Sequence, residues 1–148
     1  MGSAQELVST DSSSGRTAII EAAGDTLWFY LTQSGTGPIV SDCWLANLDA
    51  SRGPLTDEER AALRDAGLPL PAPPNALADP AHDLPIDPQD YRLDWSTDGE
   101  AVRAMVGKET IAFIHANDNR GFHRNIGVEC PWGHVFDADL HEQLFGGE

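Results

Sequence analysis

Seven of the ten prolines lie between residues 69 and 90, with Pro73-Pro74 adjacent. A proline lacks a backbone donor, fixes its own φ and pushes the preceding residue out of the helical region, so most of this stretch cannot form regular structure. It also carries Asp79, Asp83, Asp87 and Asp90. If it were a linker, the flanking pieces of about 68 and 58 residues would each be near the lower limit for independent folding. One domain over residues 16–148 with a long ordered Pro-rich loop is therefore expected, preceded by a Ser-, Gly- and Gln-containing tail over 1–15 with few apolar side chains, read as disordered.

On each side of the loop the chain reads as strands. Arg16–Ala22 and Thr26–Thr32 are β-branched and aromatic runs around Gly24-Asp25, which suits a two-residue type II′ turn because glycine accepts positive φ at its first position. Residues 33–38 form a second turn cluster leading into a strand over Ile39–Asn47. After the loop, Tyr91, Leu93 and Trp95 alternate with Arg92, Asp94 and Ser96, the period-2 signature of a strand with one buried face. Asp98-Gly99 offers a type I′ turn, Ala101–Val106 returns, Gly107-Lys108 turns again and Thr110–Ala116 follows. Two helices are expected. Thr56-Asp57-Glu58-Glu59 is a capping box that starts one, which runs to about Ala66 and stops at Gly67, with Leu68 folding back on Leu63; Asp137 caps the other over Ala138–Phe145. The expected fold class is α+β: a mainly antiparallel sheet from two three-strand meanders, each followed by a short helix.

The net charge is −15, from 24 acids against nine bases. Phosphate backbones are bound by cations that displace counterions, so nucleic acid is an unexpected partner. No apolar run reaches the roughly 20 residues that cross a bilayer, which argues against a membrane and makes the cytoplasm the expected compartment. Two cysteines far apart, Cys43 and Cys130, exclude a disulfide framework, and Cys43 in an apolar run reads as a small buried residue. Residues 42–100 hold 13 of the acids and four of the bases. Asp79, Asp83, Asp87, Asp90, Asp94 and Asp98 are spaced too widely for a calcium loop, and read as an acidic rim.

Chemistry-bearing side chains concentrate in residues 115–134. His115, His123, Cys130 and His134 offer the mixed nitrogen and sulfur donors that zinc accepts, although their spacing matches no standard finger or ribbon. Arg120, His123 and Arg124 form the local cluster of cations that would hold a phosphate or carboxylate. A strand ending in His115 and followed by Asn117, Asn119 and His123 resembles the ββα-metal nucleases, which implies a histidine activating water beside a divalent ion; no helix begins where the second ligand would sit. Cys130 as a nucleophile is disfavoured by Pro131, which opposes the helix start that would activate it. Trp28 and Tyr30 face opposite to Leu27 and Phe29, so one of these two faces is covered or meets a partner.

The expected function is a non-enzymatic acidic protein-binding module, such as an immunity or inhibitor protein for a basic partner, using the six aspartates and no cofactor. The alternative is a small metal- or anion-binding domain, or an enzyme, built on the 115–134 loop.

Overall fold

The computed structural model describes residues 6–23, 26–33, 37–47, 56–67, 72, 76–78, 84–130 and 132–146. It is a sheet-rich α+β fold with two sheets. Strands β1 (Glu6–Thr10), β2 (Thr17–Ala23), β3 (Thr26–Thr32) and β4 (Ile39–Asn47) lie side by side in chain order, each antiparallel to the next. The second sheet follows the same sequential order with β5 (Arg92–Trp95), β6 (Ala101–Val106), β7 (Glu109–His115), β8 (Phe122–His123) and β9 (His134–Val135), and its last pair is parallel.

The inner faces carry the alternating apolar residues. Ala18, Ile20, Leu27, Phe29, Leu31, Cys43 and Leu45 of the first sheet form one buried cluster with Val102, Ala104, Ile111, Ala112 and Ile114 of the second, joined by Tyr91. Full burial of each large side chain contributes roughly 1.5–3 kcal/mol, so this layer dominates the stability. The hairpins are interlocked at one end, where Arg16 pairs with Glu100 at 2.9 Å and Gly99 packs against Asp11 and Ser14.

Three local expectations change. The segment read as a disordered tail supplies β1, whose Leu7 packs on the core while Ser9 Oγ accepts from Trp95 Nε1 at 3.0 Å. Each sheet gains strands beyond the three expected. At Asp98-Gly99, only the glycine has positive φ (+72°), so the turn is not type I′; Asp98 instead accepts hydrogen bonds from Ser96 Oγ (2.8 Å) and Glu100 N (3.0 Å). Gly107 (φ +61°) and Lys108 do form the two-residue turn between Val106 and Glu109. The Gly24-Asp25 turn, Leu68 and much of the Pro-rich loop lie outside the described residues; within the loop, Pro88–Asp90 makes one turn of 3-10 helix capped by Asp87.

Helix α1 (Asp57–Asp65) has the capping box, with Glu59 N donating to Thr56 Oγ1 at 3.1 Å and Thr56 N to Glu59 Oε1 at 2.9 Å, and Gly67 follows it at φ +72°. None of its residues is buried. Helix α2 (Ala138–Phe145) starts at Asp137, whose side chain accepts from Leu140 N at 3.0 Å. No helix among the described residues is long and apolar enough to cross a membrane.

Helix α2 docks on the outer face of the second sheet. Phe113 stacks on Phe122 at 4.8 Å and meets Phe136, His141 and Phe145 within 6.0 Å. Arg103 is clamped there, 2.7 Å from Asp94 and 4.9 Å from the centre of the Phe145 ring, and it donates to His141 Nε2 at 3.2 Å. Thr110 Oγ1 stands 3.0 Å from the same nitrogen. Burial first, then the charges of Arg103 and Arg124, hold the His141 pKa below its ordinary 6.5. A base that binds protons less well when folded stabilises fully above its unfolded pKa, and the benefit is lost as the pH falls through 6.5 towards the lower folded value. The difference in urea midpoint between pH of about 7.5 and about 5.5 is therefore expected to shrink in His141→Gln.

Candidate functional site

Residues 119–130 and 132–134, within the 115–134 segment where chemistry-bearing side chains concentrate, form a backbone seam between the sheets. On one side they complete the free edge of β4: Asp42 N donates to Asn119 O at 3.3 Å, Gly121 N to Asp42 O at 2.7 Å and Trp44 N to Trp132 O at 2.9 Å. On the other side β8 pairs with β7, and His134 N donates to Gly121 O at 2.7 Å. Gly121 is the crossing point, with no space for a side chain: a Cβ there would stand 2.8 Å from each of Cys43 Cβ, Ile114 Cγ1 and Phe113 O.

The side chains serve the same seam. His123 has no exposed surface, and its ring lies 4.6 Å from that of Trp44. Its Nδ1 accepts from Asn125 N at 2.8 Å, which leaves Nε2 to donate to Leu45 O at 2.9 Å. Both nitrogens of a neutral imidazole are thereby occupied. His134 contacts the Glu129 carboxylate, which also accepts from Val135 N at 2.8 Å; chiefly the His134 hydrogen bond holds the Glu129 carboxyl below its usual range. Cys130 Sγ faces Gly133 O at 3.7 Å, and His115 ends β7, half-buried.

Among the described residues no three His, Cys, Asp or Glu side chains are grouped to hold a metal ion, and His123, Cys130 and His134 meet different partners: Leu45 and Asn125, Gly133, and Glu129. Nor do Arg120, His123 and Arg124 converge on an anion. His123 has no spare N–H, and Arg124 lies 4.2 Å over the Phe136 ring, donates to Thr110 O and stands 3.7 Å from Glu109. Arg120 stands beside Asp42 instead, where its charge acts on the carboxyl.

The aspartate rim is divided as well. Asp79 and Asp83 lie outside the described residues. Asp87 and Asp90 are exposed around the 3-10 turn beside β1, Asp98 is exposed at a hairpin end, and Asp94 is neutralised by Arg103 on the opposite face. Irregular chain places each carboxylate according to its local cap or ion pair, so sequence proximity does not make one contiguous row.

A different cluster arises from strand register on the outer face of the first sheet. One cross-strand row runs Glu6, Glu21, Trp28, Trp44; the next runs Val8, Ile19, Tyr30, Asp42, and ends at Arg120 through an isolated bridge. Trp28 and Trp44 are covered by Ala72, Leu77 and Leu84 of the Pro-rich loop and by Ile126, Cys130 and Trp132 between β8 and β9, so irregular chain rather than a helix roofs that half of the face. The other half is more open, with Val8 51% exposed and Ile19, Glu21, Tyr30 and Asp42 half-buried. Tyr30 lies 6.5 Å from Trp28, and its hydroxyl pKa is pushed up to about 12 by burial, then by the charges of Glu21 and Asp42. Burial also raises the Asp42 carboxyl, against the pull of Arg120. The indole N–H of Trp28 is buried and has no acceptor among the described residues. Glu21 and Asp42 were not legible as a pair, because a shared face depends on the β2–β3–β4 register rather than on any local motif.

Compared with known proteins, the chain matches no family model, no curated protein and no solved structure.

Proposed function

We propose that the protein is a non-catalytic acidic binding module that docks on a basic protein, in the manner of an immunity or inhibitor protein. The observation that carries this reading is the excess of exposed carboxylates, twelve among the described residues, over exposed cations, of which there are five. Several of its few cations are engaged at home: Arg16 with Glu100, Arg60 with Asp57, Arg103 with Asp94, and Arg124 with Glu109 and Phe136. Carboxylates at Glu6, Glu58, Asp65, Asp87, Asp90, Asp98, Asp139 and Glu142 face solvent. Such a surface repels anionic partners and accelerates encounter with cationic ones, an effect that salt screens.

Affinity capture with the intact chain, from cells that naturally produce it, tests the proposal. A partner with a pI above about 9 is expected to be retained at about 50 mM salt and released at about 0.5 M. Recovery of no basic protein at the lower salt, or of a partner whose retention ignores salt, overturns it.

A further inference from the structure

We infer that the basic partner is anchored by an arginine whose guanidinium lies on Tyr30 between the carboxylates of Glu21 and Asp42; this rests on the binding reading above and gives it a location. The molecule itself shows what such a seat holds. Twice among the described residues an arginine lies over an aromatic ring beside a carboxylate. Arg103 lies 4.9 Å from the Phe145 ring centre and 2.7 Å from Asp94, and Arg124 lies 4.2 Å from the Phe136 ring centre and 3.7 Å from Glu109.

Tyr30 repeats that composition. Asp42 is its directly opposed partner on β4, and Glu21 stands diagonally across on β2, so both carboxylates share its face. Both are near enough for their charge to act on the phenol. No guanidinium of a described residue lies over the Tyr30 ring, and Arg120 sits beyond Asp42, at the end of the row. Exposed Val8 and half-buried Ile19 extend the row with apolar surface for the stem of a long side chain or its neighbours. A planar guanidinium both stacks on a ring and forks onto a carboxylate, whereas an ammonium is a compact, strongly hydrated charge, so arginine is the residue this seat selects.

The test uses the full chain with a fluorescent arginine-rich peptide and its lysine-rich counterpart at low salt. The arginine peptide is expected to bind more tightly, and amide shifts on titration are expected to gather at Glu21, Tyr30 and Asp42. Tyr30→Leu should weaken it about threefold to fivefold, as an exposed cation–π contact implies. Glu21→Gln should cost more than Asp139→Asn, a control on α2 with the same change in net charge. Equal weakening by the two charge variants, or shifts gathered at the first turn of α1 or on α2, would overturn the Tyr30 seat while leaving the acidic module standing. Failure of both peptides to bind overturns the seat and counts against the module too. The shift map is measured on the unaltered protein, so it decides the matter even where a variant folds poorly.

Discussion

Gly121→Ala is expected to destabilise the protein by about 3 kcal/mol, at the upper end of what overpacking costs. The reason lies in the three atoms a methyl group would strike at 2.8 Å: Cys43 Cβ, Ile114 Cγ1 and Phe113 O. A flexible side-chain tip could move aside. Here one obstacle is a backbone oxygen of β7 and another the first side-chain atom of a β4 residue, so relief requires the sheets to part. Parting them strains the bond from Gly121 N to Asp42 O at 2.7 Å. A urea midpoint lowered in proportion, with an unchanged slope, is the expected result. Shortening Cys43 as well should recover only part of the loss, because the Phe113 carbonyl remains.

His123→Ala should cost roughly 3–5 kcal/mol, for two separable reasons. It empties the space beside Trp44, where the rings are 4.6 Å apart, and it leaves Leu45 O and Asn125 N without their bonds of 2.9 and 2.8 Å in a site with no exposed surface. A histidine kept as a metal ligand would behave differently. Zinc would then raise the melting temperature of the unaltered protein, since a ligand that binds only the folded state stabilises it by mass action, and the variant would lose that response. With both imidazole nitrogens engaged inside the fold, the expected result is a large loss of stability in His123→Ala and a zinc response no different between the two proteins.

What the sequence makes legible here is local. The Thr56 to Glu59 capping box, the Asp137 cap, the Gly107-Lys108 turn and the alternation over Tyr91–Trp95 each depend on residues a few positions apart, and each recurs in the structure. The strands β1, β8 and β9 escape because they are only five, two and two residues long, and their partners are set by edges formed elsewhere in the chain. The candidate site fails to be legible for a related reason. His123 and Arg124 resemble members of a reactive cluster because polar side chains that satisfy a buried seam are of the same types that ligate metals or anions. Their roles differ only in what stands opposite each nitrogen, here Leu45 O, the Asn125 amide and Thr110 O. Conversely, Glu21 and Asp42 carry no motif and share a face with Tyr30 solely because β2, β3 and β4 pair in the register they do.

Hydrogen exchange of the backbone amides of Asp42, Trp44 and Gly121 in the free protein tests the seam most directly, since each donates across it. Protection comparable to that of the β3 and β6 interiors is the expected result. Exchange of these amides at the rate of exposed loops, with β2 and β3 still protected, would contradict a structural role for residues 119–134 and return their histidines and arginines to the list of candidates for chemistry.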